Sequence, residues 1–316
     1  MSRTRTIALA VTLMSGALGV TAAQAQVTRA TQDTYVDYDG DGKADTAIAR
    51  DNGGNIDWWI RNSSNDSVTY VRWGTSATDF VVAGDFDGDG KADVAIWREA
   101  AQGEFWVRKS SDGGTLRIPF GTTGDDPTIV NDFDGDYITD AAVFRPSTGT
   151  WWYKRSTNSA INAVQWGAPG DGNTFPTTGD FDGDEKADFR AQIGTYFWTL
   201  NSSNASYNVR PFGLATDLIM PANWDTDQVT DLTVRRTLGG SHYYYHAPSS
   251  SPASMVTQVW GLASDLSTLA DYDGDGKTDL STWRNGNFWM MRSTSGFAFQ
   301  AWGTTNDFPV ASFNVH

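Results

Sequence analysis

The chain has 316 residues, a formal net charge of −15 and no cysteine, and it carries 14 Trp, 11 Tyr and 16 Phe. No basic stripe exists to release phosphate counterions, which argues against a nucleic-acid partner. The missing cysteines exclude disulfides, thiolate chemistry and a cysteine-linked lipid anchor, and so many aromatic rings exclude a disordered polymer.

In chain order, residues 1–25 read as a secretory signal peptide. Arg3 and Arg5 form a basic start, residues 7–20 an apolar run, and Ala23-Gln24-Ala25 a small-residue cleavage site. The run is broken by Thr, Ser and Gly and is short of the about 20 apolar residues that a spanning helix needs. The expected product is a secreted or periplasmic monomer, one domain over residues 26–316, with no membrane span.

The rest of the chain repeats itself. "DYDGDGKAD" at Asp37 returns as "DFDGDGKAD" at Asp85, "DFDGDYITD" at Asp132, "DFDGDEKAD" at Asp180, "NWDTDQVTD" at Asn223 and "DYDGDGKTD" at Asp271, at intervals of 48, 47, 48, 43 and 48 residues. A short β-like run follows the loops, such as "TAIAR" from Thr46 and "VAIWR" from Val94. An aromatic run comes next: "WWIRNSS" from Trp58, "FWVRKSS" from Phe105, "WWYKRST" from Trp151, "FWTLNSS" from Phe197, "YYYHAPS" from Tyr243 and "FWMMRST" from Phe288. An aromatic-glycine pair closes each unit, at Trp73, Phe120, Trp166, Phe212, Trp260 and Trp302. Four short strands per unit, parted by Gly, Asn, Asp and Ser and without helical periodicity, predict an all-β fold. Units of about 45 residues in tandem are the signature of propeller blades, so six four-stranded blades are expected. The C-terminal "WGTTNDFPVASF" reads as a last strand that pairs into the first blade and closes the ring.

The spacing D-x-D-x-D-G-x-x-D explains why four carboxylates are crowded into nine residues. Carboxylates at positions 1, 3 and 5, the position 7 carbonyl and the position 9 carboxylate can converge on a hard cation such as calcium, which takes six to eight oxygens. An EF-hand would need Glu at position 12 between helices, whereas Ile48 and Ile96 stand there on strands. Of the 38 acidic residues, 23 are aspartates of these loops. A merely acidic surface would spread its charge over every strand instead.

These aspartate loops and the six aromatic-glycine pairs resemble the FG-GAP or VCBS repeats of integrin α-subunit propellers and of many secreted bacterial proteins. The resemblance implies calcium in the hairpin between the first two strands of each blade, on one face of the ring, and leaves seven blades as the alternative count. Carried over residue by residue, the side-chain ligands are Asp37, Asp39, Asp41 and Asp45; Asp85, Asp87, Asp89 and Asp93; Asp132, Asp134, Asp136 and Asp140; Asp180, Asp182, Asp184 and Asp188; and Asp271, Asp273, Asp275 and Asp279. The carbonyls of Lys43, Lys91, Ile138, Lys186 and Lys277 complete the sets. The fifth loop keeps Asp225, Asp227 and Asp231 but has Asn223, Thr226 and Gln228 at positions 1, 4 and 6. Tyr137 and Glu185 replace the position 6 glycine of their loops. About five or six calcium ions per chain follow.

Most aromatic runs are expected to pack between blades, because adjacent residues point to opposite sides of a strand and each blade is covered on both sides. Arg50, Arg98, Arg145, Arg236 and Arg284 recur five residues after a loop aspartate and are expected to brace neighbouring blades by stacking or ion pairing. Clefts between blades are the candidate sugar sites. Enzyme chemistry has little support: the chain has three His, and His242 and His246 lie about 13 Å apart on a strand, too far to share a metal. The favoured role is a calcium-stabilised binding or adhesion module for glycans or cell-surface partners. The alternatives are a calcium-dependent polysaccharide lyase or hydrolase and a purely structural module.

Overall fold

Alternation of buried and half-buried positions along the chain's strands organises six antiparallel sheets into a six-bladed propeller. The computed structural model describes residues 36–170 and 174–310. The expected signal peptide lies outside the described residues, among which there is no helix.

The second blade shows the plan: Asp79–Val82, Val94–Arg98, Glu104–Arg108 and Thr115–Pro119, each antiparallel to the next. Val94–Arg98 is apolar almost throughout because both its faces are covered, and Ala95, Ile96 and Trp97 are fully buried. Glu104–Arg108 alternates, with Phe105 and Val107 buried and Trp106 half-buried. The outer strand carries polar residues to solvent. The third blade replaces its first strand by two isolated bridges, Asp126 to Phe144 and Asn131 to Asp140.

The first blade is built from both ends of the described chain. Thr46–Asn52, Asn55–Arg61 and Val68–Thr75 are joined by the C-terminal strand Phe308–Val310, which pairs with Ala47, Ile48 and Ala49. The expected closure is therefore present, and the blade count is six.

The aromatic-glycine pairs lock the seams. The indole N–H groups of Trp73, Trp166, Trp260 and Trp302 donate to the carbonyls of Trp106, Trp198, Trp289 and Trp59 in the next blade, at 2.9 to 3.2 Å. The glycine is needed for its backbone. Gly74 has φ +107°, and a Cβ there would come within 3.0 Å of Ile56 Cδ1.

Candidate metal centres

Each aspartate loop leads into the second strand of a blade, so all six stand at the same end of the ring. The first aspartate shapes the turn. Asp85 Oδ1 accepts the N–H of Gly88 at 2.6 Å and Oδ2 that of Gly90 at 2.8 Å, and Asp37, Asp132, Asp180 and Asp271 repeat the pattern. Position 6 adopts positive φ even where glycine is absent: +65° at Tyr137, +65° at Glu185 and +63° at Gln228. Such a backbone is strained for side-chain-bearing residues. The strain is partly offset by a hydrogen bond from the Tyr137 hydroxyl to Glu185 in the next loop.

The ninth aspartate ties the loop to its blade. Asp93 Oδ2 accepts the Phe86 N–H and Oδ1 the Ser110 N–H, at 2.8 and 2.7 Å. Asp45, Asp140, Asp188, Asp231 and Asp279 are held in the same way. Each is almost wholly buried. Burial pushes Asp45, Asp93, Asp140 and Asp279 up to about 7 and Asp188 and Asp231 up to about 6, despite the N–H groups that favour the carboxylate.

Residues that the sequence reading passed over complete the cage. The serine and threonine ending each aromatic run clamp the loop from outside. Ser110 and Ser111 donate through their hydroxyls to Asp89 and Asp87, and Ser63 and Ser64 to Asp41 and Asp39. Ser156 and Thr157, Ser202 and Ser203, and Ser249 and Ser250 do the same for the third, fourth and fifth loops. In the sixth, Ser293 and Thr294 both donate to Asp275. The recurring "SS" or "ST" was the available signal.

Five loops bring three carboxylates within 4.8 Å of one another: Asp37, Asp39 and Asp41; Asp85, Asp87 and Asp93; Asp132, Asp134 and Asp136; Asp180, Asp182 and Asp188; and Asp271, Asp273 and Asp279. One oxygen of the third-position aspartate is left over in four of them. Oδ1 of Asp87, Asp134, Asp182 and Asp273 is buried without a hydrogen-bond partner, while Oδ2 accepts the clamping hydroxyl or, in Asp273, the Ser295 N–H. A buried carboxylate oxygen without a donor is costly, and a cation removes that cost. An all-oxygen, carboxylate-rich set fits a hard divalent ion. Among the described residues the fifth loop, with Asn223 in place of the position 1 carboxylate, forms no such group.

The recurrent arginines correct one expectation, since they brace their own blades. Arg98 pairs with Asp79, Arg145 with Asp125, Arg236 with Asp217, Arg284 with Asp265 and Arg50 with Asp307, at 2.6 to 2.9 Å, each acid lying on or next to the first strand of the same blade and nearly fully buried. Each guanidinium also lies 4.7 to 5.7 Å from the ring centre of Trp106, Trp152, Tyr245, Trp289 or Trp59 in that blade. Indoles of the aromatic-glycine pairs cross the seams that these arginines do not. The paired aromatics divide: Trp58, Phe105, Trp151, Phe197 and Phe288 are buried, and Trp59, Trp106, Trp152, Trp198 and Trp289 half-buried.

At the opposite end of the strands a cleft of about 330 Å³ opens between the first two blades. Ile56, Phe80, Val81 and Phe308 are among its apolar lining, and Arg50, Asp51 and Ser76 among its polar lining.

A family model described as FG-GAP-like repeat matches residues 37–96, which span the first two aspartate loops. Among solved structures, the fold is similar to that of an Agrocybe aegerita lectin described as recognising non-reducing terminal N-acetylglucosamine. That match has 13% identity and a TM-score of 0.51, over 81% of this chain and 75% of the lectin. A chain of the Photorhabdus luminescens Tc holotoxin pore matches at 17% identity and a TM-score of 0.49, over 88% of this chain and 14% of its own length. A Lactobacillus plantarum protein matches at 9% identity and 0.46, over 82% of each chain. At these identities the likeness is one of fold alone, and no curated protein matches in sequence. With one stretch matched directly and the same loop, strand order and aromatic-glycine pair recurring around six blades, the chain is a propeller of FG-GAP/VCBS-type repeats.

Proposed function

We propose that this protein is a secreted propeller whose aspartate loops hold calcium and whose inter-blade clefts bind glycans. The buried, donorless carboxylate oxygens of Asp87, Asp134, Asp182 and Asp273 carry the calcium half of the reading. Asp37, Asp85, Asp132, Asp180 and Asp271, with their third-position partners, would hold the ion. Its charge would offset the repulsion that otherwise opposes packing these loops.

The fifth loop separates this reading from a generic acidic turn. Asp93→Ala will remove one bound calcium per chain in native mass spectrometry and lower the melting temperature. Asp231→Ala will leave the ion count at five, because its loop gathers no three-carboxylate group. Six ions in the wild type, falling to five in both variants, would show that the degenerate loop also loads.

The cleft between the first two blades supports the glycan half. Its volume falls in the range of small-molecule sites, about 300–1,000 Å³. The Phe80 and Phe308 rings beside the Arg50 guanidinium and the Asp51 carboxylate suit a pyranose, which presents an apolar C–H face and a polar edge. A lectin described as recognising non-reducing terminal N-acetylglucosamine is among the proteins of similar fold, which supports this half of the reading. A glycan array with the calcium-loaded protein will give signal for one glycan class, and Phe80→Ala will weaken it at temperatures where the variant, destabilised by the loss of packing on Trp97, stays folded. Release of oligosaccharide from a polysaccharide would instead mark an enzyme.

A further inference from the structure

Resting on the calcium reading above, we infer that the loops load as one coupled ring and not as independent sites. The backbone N–H at position 8 of every loop donates to the position 1 carbonyl of the loop before it. Ala92 donates to Asp37, Thr139 to Asp85, Ala187 to Asp132, Thr230 to Asp180, Thr278 to Asn223 and, across the closure, Ala44 to Asp271, at 2.6 or 2.7 Å. Six bonds thus form a closed circle.

The two ends of each bond sit beside the ligands. Position 1 supplies a carboxylate to one cage, and position 8 directly precedes the ninth carboxylate of the next. A cation that fixes Asp37 fixes its carbonyl too, which orders the Ala92–Asp93 segment of the second loop. That loop then loses less conformational freedom on loading, so affinity rises around the circle without any new ligand.

Side-chain packing reinforces the link. The position 4 glycine of five loops lies under the position 7 side chain of the next: Gly40 under Lys91, Gly88 under Ile138, Gly135 under Lys186, Gly183 under Val229 and Gly274 under Lys43. A Cβ on Gly88 would meet Ile138 Cδ1 at 2.8 Å, so neither loop can shift freely. The exception is the degenerate loop, with Thr226 at position 4. There the Asn223 N–H donates to the Thr278 hydroxyl at 2.8 Å, beside the ring bond from the Thr278 N–H. This explains why a loop with no three-carboxylate group keeps its conformation: it relays between the fourth and sixth loops.

Native mass spectrometry at half-saturating calcium reads the coupling directly. Coupled loading will show mostly ion-free and fully loaded chains with the intermediate counts depleted. A binomial ladder of intermediates overturns the inference while leaving calcium binding intact. A chain that takes up no ion at millimolar calcium overturns the calcium reading, and the coupling with it. Cooperative unfolding of the ion-free chain could imitate depletion, so a second measurement follows hydrogen exchange in Asp87→Ala. The calcium midpoints for protection of the first and third loops will rise about five-fold or more, and those of the fourth and sixth by less. Equal midpoints in all four loops overturn the coupling.

Discussion

Excess chelator will lower the melting temperature of this protein steeply, and millimolar calcium will restore it. Ligands that bind only the folded state stabilise it by mass action, about 1.4 kcal/mol per site at ten times Kd. Extracellular calcium modules bind at about 10⁻⁴–10⁻³ M, so five three-carboxylate groups acting separately would contribute about 7 kcal/mol. That is comparable with the whole stability of an ordinary domain, about 5–15 kcal/mol, and corresponds to a shift on the order of 10–20 °C. A melting curve that chelator leaves unchanged would refute the calcium reading.

The pH dependence should change sign with the ion. Without cation, burial raises Asp45, Asp93, Asp140 and Asp279 from 3.8 to about 7 in the fold. The folded state therefore favours their protonated form. Their contribution is present below about pH 4 and is lost as pH rises through 7, so the chelated protein will melt lower at pH 7.5 than at pH 5. Calcium needs the carboxylates, so the loaded protein will melt higher at pH 7.5, where protons no longer compete. Melting scans at both pH values, with and without calcium, check the crossing.

Deleting residues 306–316 will open the ring. The deletion removes the strand paired with Ala47, Ile48 and Ala49, together with buried Val310 and half-buried Phe308. It also removes Asp307, whose side chain is 1% exposed and grips Arg50 through two hydrogen bonds at 2.6 and 2.8 Å. Burial of large apolar side chains stabilises by about 1.5–3 kcal/mol each. The exposed strand Thr46–Asn52 becomes an unpaired edge that invites aggregation. The expected product is insoluble, or elutes as oligomers with a melting temperature lower by on the order of 10 °C. The milder Asp307→Asn keeps the strand and should remain monomeric with a smaller loss. A truncated chain that stays monomeric and melts like the full one would exclude closure by this strand.

The repeat, the strand-rich blades and the chelating spacing were legible because their causes are local. A carboxylate at every second loop position, a glycine where φ turns positive and alternating aromatics all act within about ten residues. The partners of those residues were not legible. The Ser110 and Ser111 hydroxyls reach Asp89 and Asp87 across 21 and 24 positions, Arg98 reaches Asp79 across 19, and Arg50 reaches Asp307 across 257.

The arginines show the difference most clearly. Their five-fold recurrence announced a bracing role, but whether they braced within or between blades depended on which strand the first-strand acid joined. By itself the sequence determined that six like units exist and that each folds a carboxylate-rich turn. Only the tertiary structure decided that the third-position oxygens lie buried without donors, that the fifth loop gathers no three-carboxylate group, and that position 8 of one loop bonds position 1 of the last. The last of these is a contact between units, and its geometry is set by the closure of the ring, which no single repeat encodes.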